Sequence, residues 1–157
     1  MIDPNIRLGL ASEGEYRDRL REMIAASAIV KASDADLAWL YPDMSYEDAA
    51  DRIIGEGARL VVVTLGAQGA FAAHRGFHIA VDAVKVVVVD TIGAGDAFGA
   101  ALLAWLHDHD AVQPDLHLEK EEVKAALDFA CLAAAITCAR AGADPPWKSE
   151  MMARESR

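Results

Sequence analysis

The 157-residue sequence is poor in cysteine, in aromatic residues and in basic residues, and each shortage excludes a class of protein. Cys131 and Cys138 are the only cysteines, too few for a disulfide-built secreted domain, so we expect two reduced thiols on one helix. A formal net charge of −10 disfavours nucleic acid and anionic membranes as partners. No apolar run is long enough to cross a membrane and the first residues do not resemble a secretory signal, so we expect a cytoplasmic protein.

Apolar residues make up 54% of the chain, which is enough for one domain with a substantial core. Helical patterns alternate with β-rich runs, and this alternation predicts a layered α/β domain with a largely parallel sheet flanked by helices. Ligands of such domains bind at the carboxyl ends of the strands. The expected elements are helices capped by Ser12, Ser33 and Ser45, strands at 28–31 and 60–65, a hairpin over 70–81, and a long helix over 118–140.

The most informative stretch runs from Val86 to Leu106 and reads VVVVDTIGAGDAFGAALLAWL. The valines predict a strand, a glycine-rich turn follows, and the residues from Ala94 onward predict a buried helix. Gly93 and Gly95 let a ligand approach backbone N–H groups, which are unpaired at a helix start and lie at the positive end of the macrodipole. The turn is therefore suited to a phosphate, and Asp96 beside it is available as a base.

The residues alone leave two other interpretations of this turn open. In one, the glycines only connect strand to helix, and Asp96 only neutralises the helix start. In the other, Gly93, Gly95 and Gly99 form a nicotinamide dinucleotide fingerprint, although residues 90–92 separate them from the strand and no second strand ending in an acid follows. A Walker-type phosphate loop is excluded, because no lysine followed by serine or threonine comes after the glycines.

The same stretch resembles the DTxGAGDxF signature of the ribokinase-like, or PfkB, carbohydrate kinases. The resemblance is fructokinase-like and runs nearly from end to end. It implies the ribokinase-like fold and ATP-dependent phosphorylation of a small sugar, with Mg²⁺ and a monovalent cation such as K⁺. It also implies an anion hole formed by Gly93, Ala94 and Gly95, with Asp96 as the base that takes the proton from the sugar hydroxyl.

The resemblance implies further binding residues outside the glycine turn. Asp36 stands at the glutamate position of a motif tied to magnesium, although capping of a helix explains this residue as well. Asp90, Ile92 and Gly142 would form the loop for the monovalent cation. The turn over 64–69 is equally well explained as a strand exit. The residues implied to contact ATP are Asn5, Arg7, Thr64, Gly66, Gly69 and Ala134.

The resemblance assigns residues 1–157 to a single α/β domain, the C-terminal, nucleotide-side part of a sugar kinase without its sugar-binding and lid portion. We therefore expect the isolated chain to be inactive. The alternatives are a nicotinamide-binding domain and a catalytically inactive kinase fragment. An apolar edge bared by the missing portion would also favour a homo-oligomer.

Overall fold

The structure is a computed structural model that describes residues 1–7, 9, 12–113 and 115–155. This part of the chain contains six α-helices and four strands, and a 3₁₀ turn, Gly66–Gln68, follows the second strand. The elements in chain order are α1 (Glu13–Ala25), β1 (Ile29–Ser33), α2 (Asp34–Leu40), α3 (Tyr46–Gly55), β2 (Leu60–Thr64), β3 (Ala70–His74), β4 (Phe77–Val81), α4 (Ala94–Asp108), α5 (Lys120–Cys138) and α6 (Lys148–Glu155).

The four strands form one sheet in the order β1-β2-β3-β4 with helices on both faces. This arrangement confirms the layered α/β class. The expectation of a largely parallel sheet requires correction, because β1 pairs with β2 in parallel while β2–β3 and β3–β4 are antiparallel. The reason is loop length: only the crossover through α2 and α3 is long enough to return the chain in the same direction, whereas short turns force antiparallel neighbours.

Alternation along the strands builds two cores, one on each face of the sheet. In β1, Val30 and Ala32 are fully buried against the side that carries α1, α2 and α3. Ile29 points to the opposite side, where Leu102 of α4 and Leu127 of α5 are completely buried. Helices α4 and α5 pack against each other over this second face. The first turn of α4 is thereby held near the end of the sheet.

The valine run before the glycine turn does not form a strand in the described part of the chain. Val87, Val88 and Val89 are 85%, 60% and 61% exposed, and Ile92 beyond them is 64% exposed. The predicted strand at this place is therefore wrong. β-branched residues favour strands only where a neighbouring strand and a packed face receive them, and this run has neither. The result is an exposed apolar segment, which we call the valine segment (residues 87–89).

Two of the three predicted serine caps are present at helix starts. The hydroxyls of Ser33 and Ser45 accept the backbone N–H groups of Asp36 and Asp48 at 3.0 and 3.1 Å. At α1 the Ser12 hydroxyl instead donates to the Glu15 carboxylate at 2.8 Å and caps no backbone N–H. Helix α6 is an addition, because the polar composition of the tail did not predict it.

Two further expectations concern the thiols and the membrane. Cys131 and Cys138 are free, and burial raises the pKa of the Cys131 thiol to about 11, so this thiol is unreactive at neutral pH. Over the described ranges, no helix has the length and apolar character needed to span a bilayer.

The close approach of Gly69 to β4 gives a test of the hairpin geometry. At φ +99°, a Cβ on Gly69 would lie 2.0 Å from the Val81 carbonyl oxygen, whereas Gly66 at φ +57° faces open space. We expect Gly69→Ala to lower the free energy of unfolding by about 3 kcal/mol or more, since backbone strain adds to overpacking. Gly66→Ala, the matched control, carries strain alone and should cost about 1 kcal/mol. Urea unfolding measures both, and equal losses would contradict this account.

Candidate functional site

The glycine turn leaves backbone donors free at the start of α4. Gly93 is the N-cap in the left-handed conformation, φ +78°, and the Ala94 N–H donates to the Thr91 carbonyl at 3.2 Å. Among the described residues, the N–H groups of Gly95 and Asp96 have no hydrogen-bond acceptor. These two donors lie at the positive end of the helix and suit an anion. Of the anion hole expected from Gly93, Ala94 and Gly95, the Ala94 N–H is engaged, whereas the Gly93 and Gly95 N–H groups have no acceptor among the described residues.

Asp96 lies in the same first turn of α4 and is exposed, as is Gly95. The next residues of the helix, Ala97 and Phe98, are buried. The inward face of the helix therefore packs into the core, while its first turn exposes the Asp96 carboxylate beside the free N–H groups of Gly95 and Asp96. A ligand that reaches the N–H groups also reaches the carboxylate.

Asp90 joins the glycine turn to the loop that follows α5. One carboxylate oxygen accepts the Ile92 N–H at 3.0 Å, and the other accepts the Gly142 N–H at 2.9 Å. Hydrogen bonds from Ile92, Gly142 and Thr91 hold the pKa of Asp90 below its ordinary value. The three residues expected to form a cation loop are therefore neighbours in the fold, and their binding of a cation stays a prediction.

Asp36 has a well-defined structural role at the start of α2. Its carboxylate accepts the Ser33 N–H at 3.0 Å and hydroxyl at 2.7 Å, and its other oxygen accepts the Ile6 N–H at 3.0 Å. It thus completes a capping box and ties down the first residues of the chain. Across the residues that the structure describes, no group of three or more histidine, cysteine, aspartate or glutamate side chains could hold a metal ion.

The residues expected near the phosphates lie on the first segment of the chain. Asn5 is exposed, and its N–H donates to Asp3 Oδ1 at 3.2 Å. Arg7 is also exposed, and its N–H donates to the Tyr16 hydroxyl at 3.4 Å. The second oxygen of Asp3 accepts from the ammonium of Lys31 at 2.6 Å. Asp3 thus connects this segment to β1.

Lys31 is a residue that sequence reasoning passed over. It is 4% exposed inside β1, and a Cβ placed on Gly95 would lie 3.2 Å from its Nζ atom. The signal was present in the sequence, because a lysine interrupts the apolar run IVKA at a position that alternation sends to the core. The contact with Gly95 required the fold.

The expected turn at the end of β2 lies at the correct end of the sheet. Thr64 pairs in parallel register with Ser33, so both strand ends face the same edge. The Thr64 hydroxyl donates to the Ala32 carbonyl at 3.4 Å. Gly69 is fixed by its approach to β4, as described above, whereas Gly66 borders open space. Their contact with a nucleotide stays a prediction.

An apolar groove of about 170 Å³ lies alongside α4, next to the glycine turn. Ala133 lines it, whereas Ala134, the residue expected there, is half-buried against the core. The chain after α5 closes the groove from the other side through Pro145, Pro146 and the start of α6. The lining residues are Ala97, Ala100, Ala101, Ala104, Asp108, Phe129, Ala133, Pro145, Pro146, Lys148 and Met151.

These features define a class of protein: a layered α/β domain with an anion-accepting helix start, an adjacent carboxylate and a neighbouring apolar groove. The model of the pfkB family of carbohydrate kinases matches residues 1–150, and the chain belongs to this family. The family membership favours the kinase interpretation over the nicotinamide one.

Two fructokinases with similar sequences agree with this assignment. A fructokinase of Rhizobium leguminosarum bv. trifolii is 42% identical over 106 residues, which is 67% of this chain and 32% of the relative. Fructokinase-2 of Solanum lycopersicum is 33% identical over 154 residues, or 96% of this chain and 46% of the relative. The chain thus spans about half the length, or less, of these relatives.

Solved structures show the same fold. A fructokinase from Vibrio cholerae O395, determined with fructose, ADP and calcium ion, superimposes with a TM-score of 0.82 at 32% identity. The match covers 96% of this chain and 48% of that one. An E. coli protein described as a putative ribokinase II, in complex with ATP and Mg²⁺, gives a TM-score of 0.81 at 27% identity. The ribokinase-like α/β fold is therefore confirmed.

The two glycines of the turn should respond differently to alanine. A Cβ on Gly93 would meet that of Ala143 at 2.7 Å, and the φ of Gly93 is left-handed; Gly95 is helical, and its Cβ would meet only the Lys31 Nζ atom, at 3.2 Å. We expect Gly93→Ala to destabilise the fold by about 2 kcal/mol. Gly95→Ala should be neutral within about 0.5 kcal/mol or stabilising, because alanine favours helix. Urea unfolding compares them, and a larger loss for Gly95→Ala would refute this assignment.

Proposed function

We propose that the chain is the nucleotide-side part of a fructokinase-like, ATP-dependent carbohydrate kinase, folded as a single α/β domain over residues 1–157. The observation that carries the proposal is the first turn of α4, where the free N–H groups of Gly95 and Asp96 adjoin the exposed Asp96 carboxylate. Family membership supports it, as do similar structures that were determined with fructose and ADP or with ATP. The part that selects the sugar is expected outside this chain.

In this proposal the terminal phosphoryl group lies on the glycine turn. The sugar hydroxyl oxygen forms a bond to the γ-phosphorus while the bond to the leaving oxygen of ADP breaks, and Asp96 takes the hydroxyl proton. The free N–H groups hold the charge that develops on the phosphoryl oxygens. The adenine ring of ATP would occupy the apolar groove beside Ala133. The small side chains that line this groove leave room for a flat ring.

The proposal includes a monovalent cation and Mg²⁺, and the structure supports the two ions to different degrees. Hydrogen bonds from Ile92, Gly142 and Thr91 leave about one of the four acceptor positions of the Asp90 carboxylate, and this position in the loop with Ile92 and Gly142 fits a monovalent cation such as K⁺. Asp36 already accepts three hydrogen bonds, which supports a helix cap more than a magnesium ligand. Mg²⁺ would neutralise charge on the β- and γ-phosphates and be held mainly by them and by water.

Asn5, Arg7, Thr64 and Gly66 remain proposed contacts of the nucleotide. They border the same end of the sheet or reach solvent beside it, and none of them is needed inside the core. We also propose a cytoplasmic location, which two free thiols and the use of ATP support. The isolated chain is expected to show no sugar kinase turnover by itself.

Binding of nucleotide tests the proposal directly. Calorimetric titration of this chain should detect MgATP and no binding of NADH, and Asp96→Asn should change the affinity for ATP less than about threefold, because a general base acts on the hydroxyl proton. In a full-length enzyme carrying this site, the same substitution should lower turnover by about 10²- to 10⁴-fold. Preference for NADH, or binding of neither, would overturn the proposal.

We propose in addition that two copies of the chain associate through the valine segment, since an extended apolar surface of this kind is a pairing hazard. Replacing Val87 and Val88 by lysine should convert an associating chain to a monomer in sedimentation velocity. Val112→Lys, at another exposed valine, is the control and should leave association unchanged. A clean monomer of the unaltered chain at high concentration would count against the proposal.

A further inference from the structure

Lys31 is a buried charge, and its ion pair with Asp3 is the one structural role that the described residues give it. It is the only lysine, arginine, aspartate or glutamate in the four strands, and its side chain is 6% exposed. Its register partner Val62 and its strand neighbour Ile29 both belong to the apolar core under α4 and α5. An apolar residue would serve that core better, because removing an ammonium from water is unfavourable without full compensation.

The compensation found in the structure is incomplete. The Lys31 ammonium donates to Asp3 Oδ2 at 2.6 Å, and Asp3 is the one hydrogen-bond partner that the described residues give it. An ammonium has three donors, so two remain without an acceptor among the residues that the structure describes. Buried donors are nearly always satisfied, and an unsatisfied pair on a fixed cation indicates a place for an anionic ligand.

The direction of the ammonium identifies where this ligand would lie. A Cβ on Gly95 would be 3.2 Å from Nζ, so the ammonium faces the first turn of α4. The free N–H groups of Gly95 and Asp96 occupy that turn. An anion bound to these N–H groups would therefore lie beside the ammonium. In a chain of net charge −10, this buried cation is a local source of attraction for phosphate.

We infer that Lys31 is a phosphate-binding residue of the site: its ammonium, oriented by Asp3, binds the terminal phosphate oxygens of a nucleoside triphosphate held at the Gly95–Asp96 turn. This inference rests on the proposed function and adds a residue to it. A charge fixed beforehand at this point neutralises the phosphoryl group without reorganisation during transfer. Lys31 is thus expected to touch the substrate, whereas Asp3 acts through Lys31 as a positioning residue.

The test measures binding of both MgATP and inorganic tripolyphosphate. Tripolyphosphate carries the phosphates without the nucleoside, so it reports on Lys31 independently of nucleotide binding. Lys31→Met should weaken binding of both by about 10- to 100-fold, the effect of losing a charge-assisted hydrogen bond. Lys124→Met removes the same charge from an exposed site on α5 and should change neither affinity more than about twofold. Equal affinities of the two variants would overturn the inference.

Nuclear magnetic resonance of the unaltered chain, labelled at its lysine side chains, gives a readout that does not depend on the folding of Lys31→Met. Tripolyphosphate should shift the Lys31 ammonium signal with the dissociation constant found by calorimetry. A shift with tripolyphosphate but no binding of ATP would retain Lys31 as a phosphate ligand and reject the nucleotide. Absence of any shift at saturating tripolyphosphate, or absence of anion binding, would overturn the inference.

Discussion

The candidate site depends on the Asp90 carboxylate, which fixes two loops against each other. One oxygen accepts the N–H of Ile92, which is close to Asp90 in sequence, and the other accepts the N–H of Gly142, which is distant in sequence. These bonds hold the turn before α4 beside the loop after α5, and Gly93 can approach Ala143 closely only because it lacks a side chain. The start of α4 is therefore a fixed point. A fixed helix start is what an anion site needs, since donors already in place require no reorganisation when a ligand binds.

The packing of α4 carries this local order to the rest of the domain. Beyond the exposed first turn, the helix buries Phe98, Leu102 and Leu106 against α5 and the sheet. The same face of the sheet contains Lys31, so the helix start and the buried ammonium are set by one packing arrangement. Core and site are thus parts of the same structure, and substitutions that shift α4 would alter both.

The exposed valine segment shows the limit of local patterns. Four consecutive valines predict a strand by their preference for extended, half-buried backbone, yet three of them are largely exposed. Strand formation requires hydrogen-bonding neighbours that lie elsewhere in a chain, and the matched relatives are about twice as long as this chain. The prediction of a largely parallel sheet was wrong for a related reason. Whether two strands pair in parallel depends on loop length and long-range contacts rather than on composition.

The sequence by itself determined the layered class, two of the serine caps, the hairpin and the family, because these depend on periodicity, local hydrogen bonds and a specific glycine-rich motif. It also indicated Asp96 and Gly95, which are neighbours in the chain. Only the tertiary structure decided which N–H groups of the turn are free, that the Asp90 carboxylate reaches Gly142, and that Lys31 faces Gly95. The last two are contacts between residues distant in sequence, and no local pattern specifies them because folding brings such residues together; the first depends on the conformation that the turn adopts.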